Sequence, residues 1–166
     1  MARTFRGESN HKVDAKGRVS IPALFRRVLE GADPEWREGL QPRVVIVYGD
    51  EKRKQLECFP QEAIDEVDAL IAKLPRGSSK RKALQRLYSA QAHPTTVDET
   101  GRLVLPAKLR NKIGLDGEAY FIGNGDTFEI WTPDAYDASM SEGLDGDDDF
   151  DPDVDPSVYL DALGEG

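Results

Sequence analysis

The chain has 166 residues and a formal net charge of −9, made of 22 basic and 31 acidic side chains. Residues 137–166 hold eleven of the acidic residues and no Lys or Arg, so residues 1–136 carry 22 basic against 20 acidic residues. This distribution excludes a uniformly acidic protein. The single cysteine, Cys58, excludes an internal disulfide, and no apolar run reaches the length of a membrane span. We therefore expect a cytoplasmic protein that is not inserted in a membrane.

The first predicted elements are a tight turn, a strand and a short helix. Asp14 and Gly17 suit a turn, because an Asp side chain can accept a turn amide and Gly tolerates the backbone that follows. Pro22 ends the strand and favours the first turn of a helix, where its missing N–H costs nothing. Apolar patterning then predicts a strand from Arg18, a helix over residues 23–29, and strands over residues 44–48 and 56–59.

Two helices of opposite charge are predicted between the strands and the second half of the chain. Apolar residues recur at helical spacing from Ala63 to Leu74, and the polar face of this helix is mostly acidic. Ser78 is placed to cap a second helix, which carries Lys80, Arg81, Lys82 and Arg86. This basic run is either a nucleic-acid contact or the partner of the acidic helix, within a subunit or between neighbouring subunits, and opposite charges on consecutive segments favour charge pairing.

The second half repeats the first. At a constant offset of 84, residues 98–110 match residues 14–26 with six identities in thirteen positions. A strand over residues 119–122, a hairpin turn at 123–126, a strand over 127–131 and a helix from Pro133 complete this copy. The identical pairs are Asp14/Asp98, Gly17/Gly101, Arg18/Arg102, Pro22/Pro106, Ala23/Ala107 and Arg26/Arg110. The sequence therefore predicts an α+β fold of two βαββα repeats with pseudo-twofold symmetry and inserted helices between them.

The repeated motif resembles that of a known family. Asp14-x-x-x-Arg18 and Asp98-x-x-x-Arg102, each with Gly-Arg-x-x-x-Pro-Ala, and the opening Phe5-Arg-Gly7 resemble the MraZ family. The resemblance covers about residues 4–136. It implies two swapped-hairpin (AbrB-like) half-domains that form a pseudo-twofold β-barrel. The implied divisions are a half-domain at residues 4–59, a helical insert at 60–91, a half-domain at 92–136 and an acidic tail at 137–166.

The same resemblance implies a function. Members of the family are bacterial transcriptional regulators that form ring-shaped homo-oligomers and bind short direct repeats in double-stranded DNA before the division and cell-wall gene cluster. A nucleoid location is implied with it. The predicted DNA contacts are Arg18, Arg102 and Lys16, and the residues that shape the two turns are Asp14, Asp98, Gly17 and Gly101.

Two interpretations of the signature arginines stay open. Two like turns on one pseudo-dimer are expected to present Arg18 and Arg102 together, where a planar guanidinium can clamp a phosphate or read guanine. Alternatively, Arg18 pairs with Asp14 and Arg102 with Asp98 to pin the turns, and both interpretations hold if the carboxylate orients the arginine for DNA. Arg26 and Arg110, on the short helices, are expected to be solvated surface.

Catalytic and metal-binding interpretations lack the residues that they need. The chain has two histidines at non-equivalent repeat positions and one cysteine, which give no zinc-ligand spacing. No Gly-Lys-Ser/Thr phosphate-binding loop is present. We therefore expect a protein that is not an enzyme and has no cofactor and no metal.

The acidic tail, residues 137–166, lies outside the resemblance. Its Asp, Gly and Pro content predicts disorder. Apolar residues within 154–163, including Val158, Tyr159 and Leu160, form a segment that can fold on binding. They favour the alternative function, an antitoxin-like interaction module that binds a partner protein through this tail.

Overall fold

Each copy of the repeat runs strand, strand, helix, strand, strand, helix. The computed structural model describes residues 3–142 and 150–164. The strands are β1 Glu8–Lys12, β2 Arg18–Ser20, β3 Arg43–Val47, β4 Leu56–Pro60, β5 Ala92–Thr96, β6 Arg102–Val104, β7 Glu118–Asn124 and β8 Thr127–Trp131. The helices are α1 Ala23–Gly31, α2 Gln61–Ala72, α3 Ser79–Gln85, α4 Ala107–Ile113, α5 Pro133–Glu142 and α6 Val158–Gly164, with a π-helical turn at Arg86–Ala90. Among the described residues no helix is long and apolar enough to cross a bilayer.

Both copies contribute strands to each of two antiparallel sheets. The larger sheet has the order β1-β7-β8-β4-β3-β5, and β2 pairs with β6 in a second sheet. Strands β1, β3 and β4 of the first copy correspond to β5, β7 and β8 of the second. Exchanging the copies gives the same strand order read in reverse, because β1 pairs with β7 as β5 pairs with β3. The predicted α+β class and two-repeat organisation are confirmed. Closure into a barrel and the swapped-hairpin arrangement stay predictions.

The predicted βαββα order is wrong by one strand in each copy. The structure adds β1 and β5, and these two strands form the two edges of the six-stranded sheet. Neither has the alternating apolar residues that mark a half-buried strand, because their sequences are Glu-Ser-Asn-His-Lys and Ala-His-Pro-Thr-Thr. Pro94 lacks an N–H donor and is tolerated in β5 because an edge strand has a neighbour on one side only.

Four phenylalanines join the copies in the core. The rings of Phe5, Phe25 and Phe128 have centroids 5.1–5.2 Å apart, and Phe121 stacks on Phe128 at 6.0 Å. They come from the N-terminal segment, α1, β7 and β8, and all four are buried. Their burial removes a large apolar area from water and fixes the position of one copy against the other. Cys58 is also fully buried, as its strand position predicts.

Within one subunit, the two central helices meet without the charge pairing that the sequence predicts. Ser78 caps α3 as expected, with its hydroxyl accepting from the Arg81 amide at 3.1 Å. The Arg81 guanidinium donates to the backbone oxygens of Leu74 at 2.7 Å and Ala72 at 3.5 Å, at the C-terminal end of α2. Within the described part of the chain, no ion pair joins the acidic face of α2 to the basic residues of α3. Arg81 therefore caps α2 through its carbonyls, which favour a cation at that end.

A buried carboxylate anchors residues 31–43, where the first copy is longer than the second. Asp33 is 6% exposed and accepts four hydrogen bonds: 2.7 and 3.1 Å from the Arg43 guanidinium, and 3.0 and 3.1 Å from the amides of Glu35 and Arg43. The Arg43 side chain is the main cause that holds the pKa of Asp33 below its ordinary value. Because Arg43 begins β3, the pair ties this loop to the sheet.

Replacing Asp33 with Ala is expected to destabilise the protein by about 2–3 kcal/mol, because two amides and the Arg43 fork lose their charged acceptor. The lowered pKa means that this contribution is present above the unfolded-state pKa of 3.8 and is lost as the pH falls through the folded-state value. Urea unfolding at pH 7 and at low pH measures both effects. The matched control is Glu35→Ala, whose 79% exposed carboxylate contacts the same arginine at 3.3 Å and is expected to contribute less than about 1 kcal/mol. Equal losses for the two variants at pH 7 would contradict the role given to Asp33.

The chain divides into two units, Met1–Pro133 and Asp134–Gly166, and the second contains most of α5 and all of α6. Residues 137–142 and 158–164, within the segment 137–166 for which the sequence predicts disorder, are helical. Asp155 accepts from the Ser157 amide at 2.9 Å just before α6, and the rings of Phe150 and Tyr159 stack with centroids 5.8 Å apart. These local contacts supply order that composition does not indicate. Residues 143–149 lie outside the described residues.

Candidate nucleic-acid interface

The two-stranded sheet of β2 and β6, here called the ribbon, brings both signature arginines to one face. Arg18 lies opposite Val104, and Ser20 lies opposite Arg102. Between these pairs Val19 and Leu103 are fully buried and form the inner face. Because side chains alternate along a strand, Arg18 and Arg102 share the outer face as diagonal neighbours, about 7–8 Å apart at the backbone.

Turn 1, residues 14–18, is organised by one carboxylate. Asp14 Oδ1 accepts from the amides of Lys16 and Arg18, each at 2.9 Å, and the Gly17 amide donates to the Asp14 carbonyl at 3.0 Å. Asp14 Oδ2 accepts from Arg18 Nε at 2.6 Å. Gly17 has φ +85°, a conformation that side chains disfavour. The carboxylate thus shapes the turn and also holds the arginine.

Turn 2, residues 98–102, repeats this backbone but holds its arginine through a hydroxyl. Asp98 Oδ1 accepts from the amides of Thr100 and Arg102 at 2.9 Å, and from the Thr100 hydroxyl at 2.7 Å. That hydroxyl in turn accepts from Arg102 Nε at 2.9 Å, whereas Asp98 Oδ2 is 3.4 Å from the same nitrogen. Gly101 has φ +81°. Thr100, which stands where the first copy has Lys16, therefore positions Arg102.

The two aspartates are held in their ionised form. The hydrogen bond from the Arg18 amide is the largest cause that lowers the pKa of Asp14, and the Arg102 amide has the same effect on the pKa of Asp98. Both carboxylates are consequently ionised at neutral pH and available to orient the arginines.

Each arginine keeps its outer donors available. Among the residues that the structure describes, the hydrogen bonds of Arg18 and Arg102 to protein acceptors use Nε only, and both side chains are about 40% exposed. Lys16 is exposed on turn 1. A guanidinium held at Nε still offers its terminal nitrogens as a rigid fork, which matches a phosphate or the O6 and N7 atoms of guanine. Internal pairing and an outward-facing fork are therefore compatible.

Arg26 and Arg110 support the turns, contrary to the expectation that they are solvated surface. Arg26, on α1 of the first copy, donates through Nη1 to the Glu99 carbonyl of turn 2 at 3.0 Å. Arg110, on α4 of the second copy, donates through Nε to the Leu105 carbonyl at 2.9 Å and lies beside Gly17 of turn 1. Arg26 thus bonds to the turn of the opposite copy, whereas Arg110 bonds within its own copy and packs beside the turn of the opposite one. Their identity at equivalent repeat positions is the sequence signal that points to this shared role.

The long loop of the first copy adds a second support to turn 2. Gln41 donates to the Glu99 carboxylate at 3.2 Å and accepts from the Thr96 hydroxyl at 2.7 Å. No equivalent loop exists beside turn 1, because the second copy lacks these residues. The two turns are therefore alike in backbone and different in their surroundings.

The sequence of this chain is similar to those of known proteins over most of its length. A family model described as "MraZ protein, putative antitoxin-like" matches residues 4–86 and 89–148. The chain is 63% identical over 168 residues to a protein of Ruegeria pomeroyi named Transcriptional regulator MraZ, covering 99% of each chain. It is 43% identical over 148 residues to the protein of that name from Cereibacter sphaeroides strain ATCC 17025, covering 85% of this chain and 87% of the relative. With that of Rhodospirillum rubrum it shares 32% over 139 residues, covering 82% and 84%.

Proposed function

The chain belongs to the MraZ family, and we propose that it regulates transcription by binding short direct repeats in double-stranded DNA. The proposed target precedes the bacterial division and cell-wall gene cluster, and the protein binds it at the nucleoid as a ring-shaped homo-oligomer. The relatives compared above are named as transcriptional regulators rather than enzymes, which supports a non-catalytic role.

The observation that carries this proposal is the shared outer face of the ribbon. Three residues in each strand span about 10 Å at roughly 3.4 Å per residue, and two paired strands fit a major groove about 12 Å wide. Arg18 and Arg102 lie on that face, where the Asp14 carboxylate holds Arg18 and the Thr100 hydroxyl holds Arg102. In this proposal the arginines contact guanine edges or phosphates, and Lys16 contacts a phosphate.

The proposal is tested by titrating the purified full-length protein onto DNA from upstream of its own gene. We expect a footprint over direct repeats and an affinity that falls steeply with salt, because each phosphate contact releases counterions and a ring multiplies the contacts. The matched control is the same duplex with the repeats shuffled at constant base composition. Equal binding to both duplexes, or none to either, would contradict sequence-specific regulation.

Replacing Thr100 with Val is expected to weaken repeat binding about five-fold. The change keeps the shape of the side chain but removes the hydroxyl that accepts from Arg102 and donates to Asp98, a loss of roughly 1 kcal/mol. Fluorescence anisotropy with labelled repeat DNA measures the affinity. Thr100→Ser keeps the hydroxyl and should bind as the wild type does. A Val variant that binds equally well would show that Arg102 is positioned by Asp98 alone.

A second function, docking of a partner protein through the tail, is favoured by α6. Val158, Leu160 and Leu163 are exposed on this helix, in a segment without basic residues. Residues 149–166 also lie beyond the family match, whereas the Ruegeria pomeroyi relative matches 99% of the chain. Co-purification of a small basic partner that is lost on Leu160→Asp and Leu163→Asp supports this function. An unchanged co-purification would contradict it.

A further inference from the structure

The outer face of the ribbon is chemically unequal at its two ends, although its backbone is pseudo-symmetric. Ser20 of the first copy corresponds to Val104 of the second at the repeat offset of 84, and Lys16 corresponds to Thr100. We propose that Val104 is a specificity residue that contacts the 5-methyl group of a thymine in the major groove. The inference rests on the proposed function and adds a base preference and a direction to it.

Val104 is placed for such a contact by its exposure and its neighbour. It is 46% exposed, whereas Val19 and Leu103 of the same ribbon are fully buried. It lies directly opposite Arg18, so the two Cβ atoms are about 5 Å apart on the outer face. When the outer face of the ribbon lies in the major groove with Arg18 at a base pair, Val104 therefore contacts the same base pair or the next one.

The chemistry of the groove gives an apolar side chain one partner. Hydrogen-bond donors and acceptors line the major-groove edges of the bases, and the thymine methyl is the apolar group that distinguishes A·T pairs there. Contact between this methyl and Val104 removes apolar surface of both from water. Burial of one methyl-sized group corresponds to about a four-fold change in affinity. Ser20, at the other end of the ribbon, offers a hydroxyl and has no such preference.

The chemical difference between the two copies also favours one orientation of the ribbon on the DNA duplex. A ribbon with identical ends would read a palindrome, because its two halves would prefer the same bases. Turn 1 and β2 carry Lys16 and Ser20, whereas turn 2 and β6 carry Thr100 and Val104, and this difference makes the two orientations unequal. The thymine is therefore expected at the base pair contacted by Arg18 or at the next one, on one side of it only.

Thymine-to-uracil replacement tests the inference, because it removes the 5-methyl group and leaves the base pair intact. Each thymine of the repeat duplex is replaced singly, and affinity is measured for the full-length wild type, Val104→Ser and Val104→Thr. We expect one replacement to lower wild-type affinity about four-fold and to have no effect on Val104→Ser. Val104→Thr keeps a β-branched side chain and one methyl, and should retain part of the effect. Ser20→Ala is the control and should respond as the wild type does.

Two results would overturn the inference while leaving DNA binding intact. In one, no uracil replacement changes wild-type affinity; in the other, the sensitive position stays sensitive in Val104→Ser. Failure of the wild-type protein to bind repeat DNA at all is a different result, which overturns the proposed function and this inference with it.

Discussion

Replacing Arg18 and Arg102 together with Ala is expected to lower affinity for repeat DNA by roughly 100-fold or more, without loss of folding or assembly. Each fork that contacts a guanine edge is worth about 1–3 kcal/mol, and a double replacement removes two of them. Both side chains lie on the exposed face of the ribbon, away from the buried Val19 and Leu103. Anisotropy titration measures the affinity, and analytical ultracentrifugation with thermal unfolding measures assembly and stability.

The matched control for this pair is Lys80→Ala with Lys82→Ala, which removes the same charge from α3. If the ribbon is the DNA surface, this control loses far less affinity than the arginine pair. A control that loses as much would place the DNA at α3 or show that only overall charge matters. Arg18→Lys with Arg102→Lys separates the two kinds of contact, because Lys keeps the charge for a phosphate but lacks the bidentate fork for guanine.

Replacing Gly17 with Ala is expected to destabilise the protein by about 3 kcal/mol or more, whereas Gly101→Ala is expected to cost about 1–2 kcal/mol. Both glycines have φ above +80°, so both substitutions carry the same backbone strain. A Cβ on Gly17 would lie 2.2 Å from the Leu105 backbone oxygen, whereas a Cβ on Gly101 meets its nearest atom, of Arg26, at 4.0 Å. The ribbon must therefore move only in the first variant.

The movement has a specific consequence for the ribbon. The Gly17 carbonyl accepts a hydrogen bond from the Leu105 amide at 2.8 Å. In the equivalent hydrogen bond of turn 2, the Gly101 carbonyl accepts from the Ile21 amide at 3.0 Å. Displacing Leu105 breaks the first of these bonds, which adds about 1 kcal/mol to the strain. Urea unfolding of both variants measures the difference. Equal destabilisation would mean that the positive φ alone sets the loss of unfolding free energy. It would contradict the clash between a Cβ at position 17 and the Leu105 carbonyl.

The repeat made much of the fold predictable from sequence. The six identities between residues 14–26 and 98–110 point to two like turns, two short strands and two helices, and the structure has all of them. The edge strands β1 and β5 were missed because polar residues fill them, and their pairing partners are in the opposite copy. Local patterning carries no information on such long-range pairing.

The contacts around the signature residues could be predicted from the sequence only in part. Asp14 and Arg18 lie four residues apart, and their pairing follows from the turn itself. The insertion of the Thr100 hydroxyl between Asp98 and Arg102 depends on a side-chain rotamer, and the support of turn 2 by Arg26 depends on how the copies interleave. Asp33 was overlooked because an Asp in a loop usually faces water, and its burial depends on Arg43 ten residues away.

The most direct test of where DNA lies uses a tethered iron chelate that cuts DNA by hydroxyl radicals. Cys58 is fully buried and burial raises the pKa of its thiol, so an introduced surface cysteine can be labelled selectively. The two variants are Ala15→Cys on turn 1 and Lys80→Cys on α3, both at exposed positions. We expect cuts within the direct repeats from the label at position 15 and none from the label at position 80. Cuts from position 80 with none from position 15 would contradict the assignment of the ribbon as the DNA-binding surface.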